Sequence, residues 1–256
     1  METLEVLGLP AFADNYIWAL RRGPCLAVVD PGEDRPVLDY LAESGTRLCA
    51  ILATHHHGDH IGGIDALLSV HPVPVYGPGT EGIAAVDHPL ADGDRVVLAE
   101  LGIDFEVMAV PGHTRGHVAY YRRGMLFCGD TLFGAGCGKL FEGTPETMFA
   151  SLSRIRALPG DTQVYCAHEY TLSNLRFAAA VEPDSAAVKR RIETTTKLRE
   201  EGWPSVPSSM STELATNPFL RWDAPDVVAA ARQRLGREPH GPQEVFAAIR
   251  DWKNHF

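Results

Sequence analysis

A histidine-rich run directly after an apolar stretch near residue 50 constrains the fold more than any other feature. The stretch Leu48–Ala53 has the length and composition of a buried strand, and the run after it reads Thr54-His55-His56-His57-Gly58-Asp59-His60. Imidazole nitrogens and carboxylate oxygens are ligands for zinc, iron and manganese. A histidine run in a linker or tag would have polar, unstructured flanks, whereas this run lies between a strand and a helix start. It therefore predicts a metal site at the carboxyl end of a strand.

Three later apolar runs also end at a histidine or an aspartate. They place His113 after Phe105–Val110, Asp130 after Met125–Cys128, and His168 after Gln163–Cys166. One such residue alone is more often a turn or cap residue than a ligand. Four strand ends that deliver the same ligand chemistry are much harder to explain in that way. Spacing alone leaves His117 as an alternative to His113.

The number of candidate ligands favours two metal ions over one. If residues 55–57 are extended, His56 points away from its two neighbours and is the weakest candidate of the run. The remaining candidates are His55, His57, Asp59, His60, His113, Asp130 and His168. This set is too large for one four-coordinate zinc ion, but it suits two ions that share a carboxylate. Asp130 is the expected bridge, because a carboxylate has two oxygens and a neutral imidazole cannot span two metals. Zinc is the expected metal, and iron and manganese are the alternatives.

The pattern of apolar residues divides the chain into a mixed α/β part and a helical part. The predicted strands are Leu4–Leu9, Ile17–Arg21, Cys25–Val29, Leu48–Ala53, Val73–Tyr76, Arg95–Leu98, Ile103–Val110, Val118–Tyr121, Met125–Cys128 and Gln163–Cys166. The predicted helices are Pro36–Ser44, Ile61–Val70, Thr144–Leu158, Leu172–Val181, Asp184–Glu201, Asp226–Leu235 and Pro242–Lys253. We therefore expect an α/β (α+β) catalytic domain over residues 1–170 and a helical domain over residues 171–256.

Charge and composition restrict the partners of the chain. With 33 acidic against 23 basic residues and a formal net charge of -10, the chain lacks the basic surface that nucleic acid binding needs. No apolar run approaches the roughly 20 residues that span a bilayer, and the amino terminus lacks the pattern of a secretory signal. The five cysteines show no C-x-x-C spacing, and most lie within apolar runs, which favours a reducing compartment. We expect a cytoplasmic monomer that binds neither nucleic acid nor a membrane.

The histidine run and the later strand ends resemble the metallo-β-lactamase superfamily. More narrowly, Gly136-Cys137-Gly138-Lys139, His168-Glu169-Tyr170-Thr171 and Asn217-Pro218-Phe219-Leu220-Arg221 resemble segments of glyoxalase II, the hydroxyacylglutathione hydrolases. The resemblance runs from Ala13-Asp14-Asn15-Tyr16 to the last helix and so covers nearly the whole chain. It implies an αββα sandwich followed by a helical domain that helps to form the substrate site.

The resemblance also implies which residues carry the chemistry. It assigns one metal to His55, His57 and His113, the other to Asp59, His60 and His168, and the bridge to Asp130. It therefore chooses His113 over His117. The positions that match substrate-binding residues of the family are Lys139, Tyr170, Arg250 and Lys253. Phe141 is a departure, because some members have a tyrosine hydroxyl there.

The implied reaction is hydrolysis of S-D-lactoylglutathione to glutathione and D-lactate, the second step of methylglyoxal detoxification. Two metal ions would lower the pKa of a shared water from its value in bulk solvent toward about 7, and Asp59 would orient the resulting hydroxide. The leaving thiol has a pKa of about 8.5, so no strong general acid is required. The alternatives are another hydrolase on the same fold, such as a lactonase, β-lactamase or nuclease, a one-iron persulfide dioxygenase, and a metal-binding structural or regulatory module.

Overall fold

The computed structural model describes residues 2–256. The strands are β1 (Glu5–Ala11), β2 (Asn15–Arg22), β3 (Cys25–Val29), β4 (Arg47–Leu52), β5 (Val75–Pro78), β6 (His88–Leu90), β7 (Arg95–Leu98), β8 (Ile103–Ala109), β9 (Val118–Arg122), β10 (Met125–Gly129), β11 (Leu132–Phe133), β12 (Gly136–Cys137), β13 (Gln163–Cys166) and β14 (Ser208–Ser209). The α-helices are α1 (Arg35–Ser44), α2 (Gly58–Ile61), α3 (Ile64–Val70), α4 (Pro145–Arg156), α5 (Thr171–Val181), α6 (Ala186–Glu200), α7 (Met210–Thr216), α8 (Pro225–Leu235) and α9 (Pro242–Asn254). Short 3-10 helices cover Ala99–Leu101 and Pro218–Leu220.

The first sheet has the strand order β1-β2-β3-β4-β5-β6. It begins as an antiparallel meander, because short turns join β1 to β2 and β2 to β3, and it continues in parallel from β3 to β6. A parallel pair needs a crossover, and α1 provides the one between β3 and β4. The helix has a proline in its first turn and stops at Gly45, whose φ of 65° is left-handed.

The second sheet has the order β14-β13-β10-β9-β8-β7. Its strands β7, β8 and β9 form an antiparallel meander, and buried side chains alternate with more exposed ones along β7 and the first part of β8. Tyr120 of β9 is fully buried, and its hydroxyl donates a hydrogen bond of 2.6 Å to the carbonyl of Ala53, just after β4. This hydrogen bond joins the two sheets at the end of β4 that carries the histidine run. The mixed α/β arrangement predicted from the sequence is confirmed.

The described part of the chain forms two compact units. The first unit comprises residues 2–109, 115–122 and 126–129, and the second comprises residues 110–114, 123–125 and 130–256. In the first unit, the faces of β3 and β4 that carry Val28 and Ile51 pack with Leu67 of α3. In the second, Ala135 packs against α5 and α6 through Leu175 and Val188. The expected domain division near residue 170 stays a prediction.

Most predicted elements agree with the structure, and β3, β7 and β13 have the predicted bounds. The single helix predicted over Ile61–Val70 is wrong, because Gly62 and Gly63 separate α2 from α3. At Gly63 a Cβ would lie 2.4 Å from the carbonyl carbon of Glu33, so the backbones approach too closely for another residue. The sequence did not predict helix α7 or the β11–β12 hairpin, since both are too short to show a periodic pattern of apolar residues.

Within residues 2–256, no helix combines the length and the apolar character needed to cross a lipid bilayer.

Candidate metal centre

The first unit places four predicted ligands together in the segment after β4. Ligand atoms of neighbouring pairs lie within 4.8 Å of each other: His55 with His57, His55 with His60, and Asp59 with His60. The imidazole centroid of His55 is 4.7 Å from that of His57 and 4.1 Å from that of His60. His57 ends the extended segment and precedes α2, so Asp59 and His60 occupy the first turn of this short helix. Strand end and helix start thus deliver the four side chains to one place.

The tautomers of His55 and His60 follow from a buried hydrogen-bond network. Asp30 Oδ2 accepts hydrogen bonds from Thr54 Oγ1 at 2.7 Å and from His60 Nδ1 at 3.0 Å. Because the single hydroxyl proton of Thr54 goes to Asp30, Thr54 Oγ1 must accept the 3.0 Å bond from His55 Nδ1. Both imidazoles therefore carry their proton on Nδ1, and the lone pair of each Nε2 remains for a metal.

Asp30 holds Thr54 and His60 in place, although the sequence pattern did not single it out. It is 5% exposed and also accepts a bond of 2.7 Å from the backbone N–H of Thr54. Its φ of 54° is left-handed, a conformation that aspartate adopts more readily than most residues other than glycine. Asp30 follows β3 directly, so the pattern of an apolar strand ending in a ligand-type residue could have revealed it.

Two further residues hold the polar groups of the first unit. Asn15, at the start of β2, donates to Asp59 Oδ2 at 3.0 Å and so fixes the orientation of that carboxylate. The buried Glu81 accepts from the backbone N–H of His56 at 3.0 Å and also binds the His56 imidazole. His56 was the weakest candidate of the run, and its ring is engaged by this carboxylate. No sequence pattern pointed to Glu81.

The second unit brings together the other three predicted ligands. Asp130 Oδ2 lies 3.4 Å from His113 Nε2, and Asp130 Oδ1 lies 3.4 Å from His168 Nε2. The carboxylate therefore presents one oxygen to each imidazole, the arrangement that a bridging ligand requires. All three side chains are buried. His117, the alternative to His113, belongs to the first unit, where its ring stacks on His55 at 4.5 Å.

His113 has the same tautomer as His55 and His60. Its Nδ1 lies 2.8 Å from the carbonyl of Lys139, which can only accept, so Nδ1 carries the proton. The loop that carries Lys139 passes close to Asp130, since a Cβ on Gly138 would lie 1.9 Å from the carbonyl oxygen of Asp130. Only glycine fits there.

The donor set fits divalent metal ions. It combines imidazole Nε2 atoms with two carboxylates and has no thiolate, the set typical of catalytic rather than structural sites. The Nδ1 atoms of three of the histidines donate to protein acceptors, as the outer contacts of metal-binding histidines usually do. The residues present therefore match the chemistry that the sequence predicted.

The expected substrate-binding residues lie in the second unit with different exposures. Lys139 is exposed, with Nζ 5.3 Å from the ring centroid of Phe141, which is itself 60% exposed. The Tyr170 ring stacks on His168 at 4.7 Å, almost parallel. Arg250, by contrast, is only 6% exposed, and its Nη1 donates a hydrogen bond of 3.0 Å to the carbonyl of Cys137. Arg250 is thus not on a solvated helix face.

The guanidinium of Arg250 affects the pKa of two neighbouring side chains, Lys253 and Cys137. Lys253 is half-buried over the ring of Phe177, and burial together with the charge of Arg250 lowers the pKa of its ammonium below 10.5. Burial raises the pKa of the Cys137 thiol, although Arg250 opposes this effect. Cys137 therefore stays a thiol at neutral pH and is not an activated nucleophile.

Two family models together match nearly the whole chain. The model described as "Metallo-beta-lactamase superfamily" matches residues 14–168. The model described as "Hydroxyacylglutathione hydrolase C-terminus" matches residues 169–256.

Similar proteins are found among both sequences and structures. The hydroxyacylglutathione hydrolase of Pseudomonas fluorescens (strain SBW25) is 51% identical over 256 residues, covering 99% of this chain and 100% of that protein. The crystal structure of ETHE1 from Myxococcus xanthus has a TM-score of 0.68 at 22% identity, covers 98% of this chain and 91% of its own, and shows the shared fold alone. TTHA1623, solved in a di-iron-bound form, has a TM-score of 0.54 at 29% identity and covers 64% of this chain and 91% of its own.

Proposed function

This chain belongs to the hydroxyacylglutathione hydrolases, thioester hydrolases of the metallo-beta-lactamase superfamily, and we propose that its substrate is S-D-lactoylglutathione or a related 2-hydroxyacylglutathione. The products are glutathione and a 2-hydroxy acid, D-lactate for the lactoyl thioester. The observation that carries this proposal is the 51% identity to a hydroxyacylglutathione hydrolase over the full length of both chains. The αββα fold followed by C-terminal helices agrees with it.

The proposed metal site holds two divalent ions. Its first ligand set is His55, His57 and His113, its second is Asp59, His60 and His168, and Asp130 bridges them. The split carboxylate of Asp130 and the Nδ1–H tautomers of three histidines support these roles. Zinc is the proposed metal, and the di-iron form of TTHA1623 makes iron the first alternative.

When bound, the two ions supply a water of lowered pKa and a Lewis acid for the thioester carbonyl. The residues of the chain orient the reactants. Asn15 holds the carboxylate of Asp59, which is thereby placed to orient the attacking oxygen. The leaving group is a thiolate whose parent thiol has a pKa of about 8.5, so the chain needs no strong acid to protonate it.

The proposed binding residues for the glutathione moiety are Lys139, Tyr170, Arg250 and Lys253. Lys139 and Lys253 offer ammonium groups to glutathione carboxylates, which lets a chain of net charge -10 bind an anion. Phe141 offers no hydroxyl, so the contact that a tyrosine would make there to the glutathione moiety is missing, and its ring instead lies beside Lys139 Nζ. We further propose that residues 1–170 form the catalytic domain and residues 171–256 the substrate-binding domain, in a cytoplasmic monomer.

Hydrolysis of S-D-lactoylglutathione by wild-type protein and by Lys139→Met tests this function. The wild type should hydrolyse the thioester, and the variant should show KM raised about 10-fold or more with kcat nearly unchanged, because the lost ion pair binds substrate and transition state alike. Lys197→Met, which removes an exposed lysine from α6, is the matched control and should keep wild-type constants. Hydrolysis of a β-lactam or lactone without thioester turnover would show that a rival hydrolase activity is correct.

A further inference from the structure

A carboxylate buried in the helical part of the second unit accepts hydrogen bonds from four different residues. Glu213 of α7 is 0% exposed. Its Oε1 accepts from Ser208 Oγ and from Arg191, and its Oε2 accepts from Asn217 Nδ2 at 3.0 Å and from the backbone N–H of Ala135 at 2.8 Å. Burial of a charge is costly unless it is paired and hydrogen-bonded. The bond from Ala135 connects Glu213 to the β11–β12 hairpin.

Other side chains of the helical region hold the backbone of the same hairpin. Asn217 Nδ2 lies 2.9 Å from the carbonyl of Gly136 and 3.2 Å from that of Phe133. Asn174 of α5 donates to the carbonyl of Gly134 at 3.0 Å. With Glu213 at Ala135 and Arg250 at Cys137, every residue from 133 to 137 is bonded through its backbone to a buried side chain.

The backbone conformation of the hairpin is strained and needs support from the buried side chains around it. Its turn residue Ala135 has a φ of 54°, which costs a residue with a Cβ about 1 kcal/mol or more. The helices also approach very closely, since a Cβ on Gly134 would lie 2.2 Å from Thr171 Oγ1 and one on Gly136 would lie 2.3 Å from Asn174 Nδ2. The bond from Ala135 N–H to Glu213 fixes the strained residue directly.

The segment that contains this hairpin begins and ends at residues of the proposed active site. Asp130, the proposed bridge, precedes β11, and Lys139, the proposed substrate contact, follows β12. The carbonyl of Lys139 also accepts from His113 Nδ1, so a shift of the segment would turn that imidazole. Three roles therefore depend on the position of one short hairpin.

We propose that Glu213 is a positioning residue of the reaction, which holds the hairpin between Asp130 and Lys139 through Ala135. This inference rests on the proposed function for the roles of Asp130 and Lys139. The C-terminal helices then supply more than substrate contacts, because they set the geometry of a proposed metal ligand and of the lysine at the other end of the segment. The competing explanation is that Glu213 only stabilises the helices.

A second buried ion pair in the same region separates these explanations. Glu182 is 1% exposed and binds Arg221 through both oxygens at 2.9 Å, and within the described chain its side chain makes no hydrogen bond or ion pair with residues 130–139. Glu213→Gln and Glu182→Gln therefore make the same chemical change to a buried carboxylate paired with arginine. Only Glu213→Gln replaces an acceptor oxygen by NH2 in the group that binds Ala135, and with the Arg191 guanidinium holding the remaining oxygen, the NH2 faces the Ala135 N–H.

Hydrogen exchange of peptides covering residues 131–139, bound metal per chain and KM test the proposal on the metal-loaded protein. For Glu213→Gln we expect about 10-fold faster exchange in this segment, a lower metal content and a raised KM, whereas Glu182→Gln keeps wild-type values. Asn174→Ala, a milder change on α5, should move all three in the direction of Glu213→Gln. Wild-type exchange in Glu213→Gln, or equal changes in Glu182→Gln, would overturn the proposal.

The readouts also keep this proposal separate from the proposed function. If the wild type fails to hydrolyse S-D-lactoylglutathione, the proposed substrate is wrong, but exchange and metal content still report on the hairpin. Should Glu213→Gln be too unstable to purify, Asn174→Ala with Glu182→Gln as control decides the question by the same measurements.

Discussion

At the level of single residues, the protonation of the histidines is decided by their partners rather than by the imidazoles themselves. The Nδ1 atoms of His55, His60 and His113 donate to a hydroxyl, a carboxylate and a carbonyl, respectively. This arrangement fixes the ring orientation and leaves Nε2 as the donor atom. A site built in this way needs little reorganisation when a metal binds.

The network around Asp30 makes a prediction about stability. Asp30→Asn keeps an acceptor for the Thr54 N–H, but its amide would face the hydroxyl of Thr54 and the Nδ1–H of His60. We expect the free energy of unfolding, measured with urea in the absence of added metal, to fall by about 1–3 kcal/mol. Asp39→Asn, which breaks only an exposed pair with Arg35, should change it by less than about 0.5 kcal/mol. Equal effects of both substitutions would contradict the buried network.

The lowered pKa of Lys253 predicts a pH dependence of glutathione binding. Its ammonium is the form that attracts a carboxylate, and it loses its proton at a lower pH than the usual 10.5. As pH rises through that lowered pKa, wild-type affinity should fall, whereas Lys253→Arg stays charged and should keep its affinity. The ratio of the two dissociation constants, measured by calorimetry from pH 7 to 10, removes the titration of glutathione itself. A constant ratio would exclude a charge role for Lys253.

The sequence identifies the proposed ligands but not the residues that orient them. His55, His57 and His60 can be recognised in the sequence because metal-binding residue types cluster at the end of a predicted strand. Asp30 has the same signal in weaker form, a single aspartate after β3. Glu81 has none, since its role depends on a loop that returns to His56 only in the folded chain.

At the level of elements, strands were easier to predict than turns. β3 and β13 are short continuous apolar runs bounded by turn residues, so local composition fixes their ends. The β11–β12 hairpin has no such signal, because its conformation depends on side chains more than 30 residues away. Local preferences cannot reveal an element that distant residues hold in place.

Helix α4 offers an element-scale prediction about capping. Thr144 Oγ1 accepts from the backbone N–H of Thr147, whose hydroxyl accepts in return from the Thr144 N–H. Thr144→Ala should lower the free energy of unfolding by about 1 kcal/mol in urea. Ser153→Ala removes a hydroxyl from the interior of the same helix, where it bonds only the carbonyl of Phe149, and should have little effect. An equal loss in both variants would argue against the cap.

At the level of the whole molecule, an acidic chain carries a small cationic set for an anionic substrate. The net charge is -10, yet three of the residues proposed to bind glutathione are basic: Lys139, Arg250 and Lys253. Of these, Arg250 is buried, and its guanidinium donates a hydrogen bond to the backbone of the hairpin at Cys137. Sequence predicted the set through family resemblance, but could not distinguish the buried arginine from the exposed lysine.

Metal content and thioester turnover, determined on the same samples of wild-type protein and Asp130→Ala, test the central claim most directly. We predict that the wild-type chain binds two ions and hydrolyses S-D-lactoylglutathione. Asp130→Ala should lose both metal and turnover, because Asp130 is the carboxylate proposed to serve both ions. A thermal unfolding curve for each sample confirms that the variant is folded. Full turnover by Asp130→Ala, or a fully active wild type with a single ion, would contradict the account.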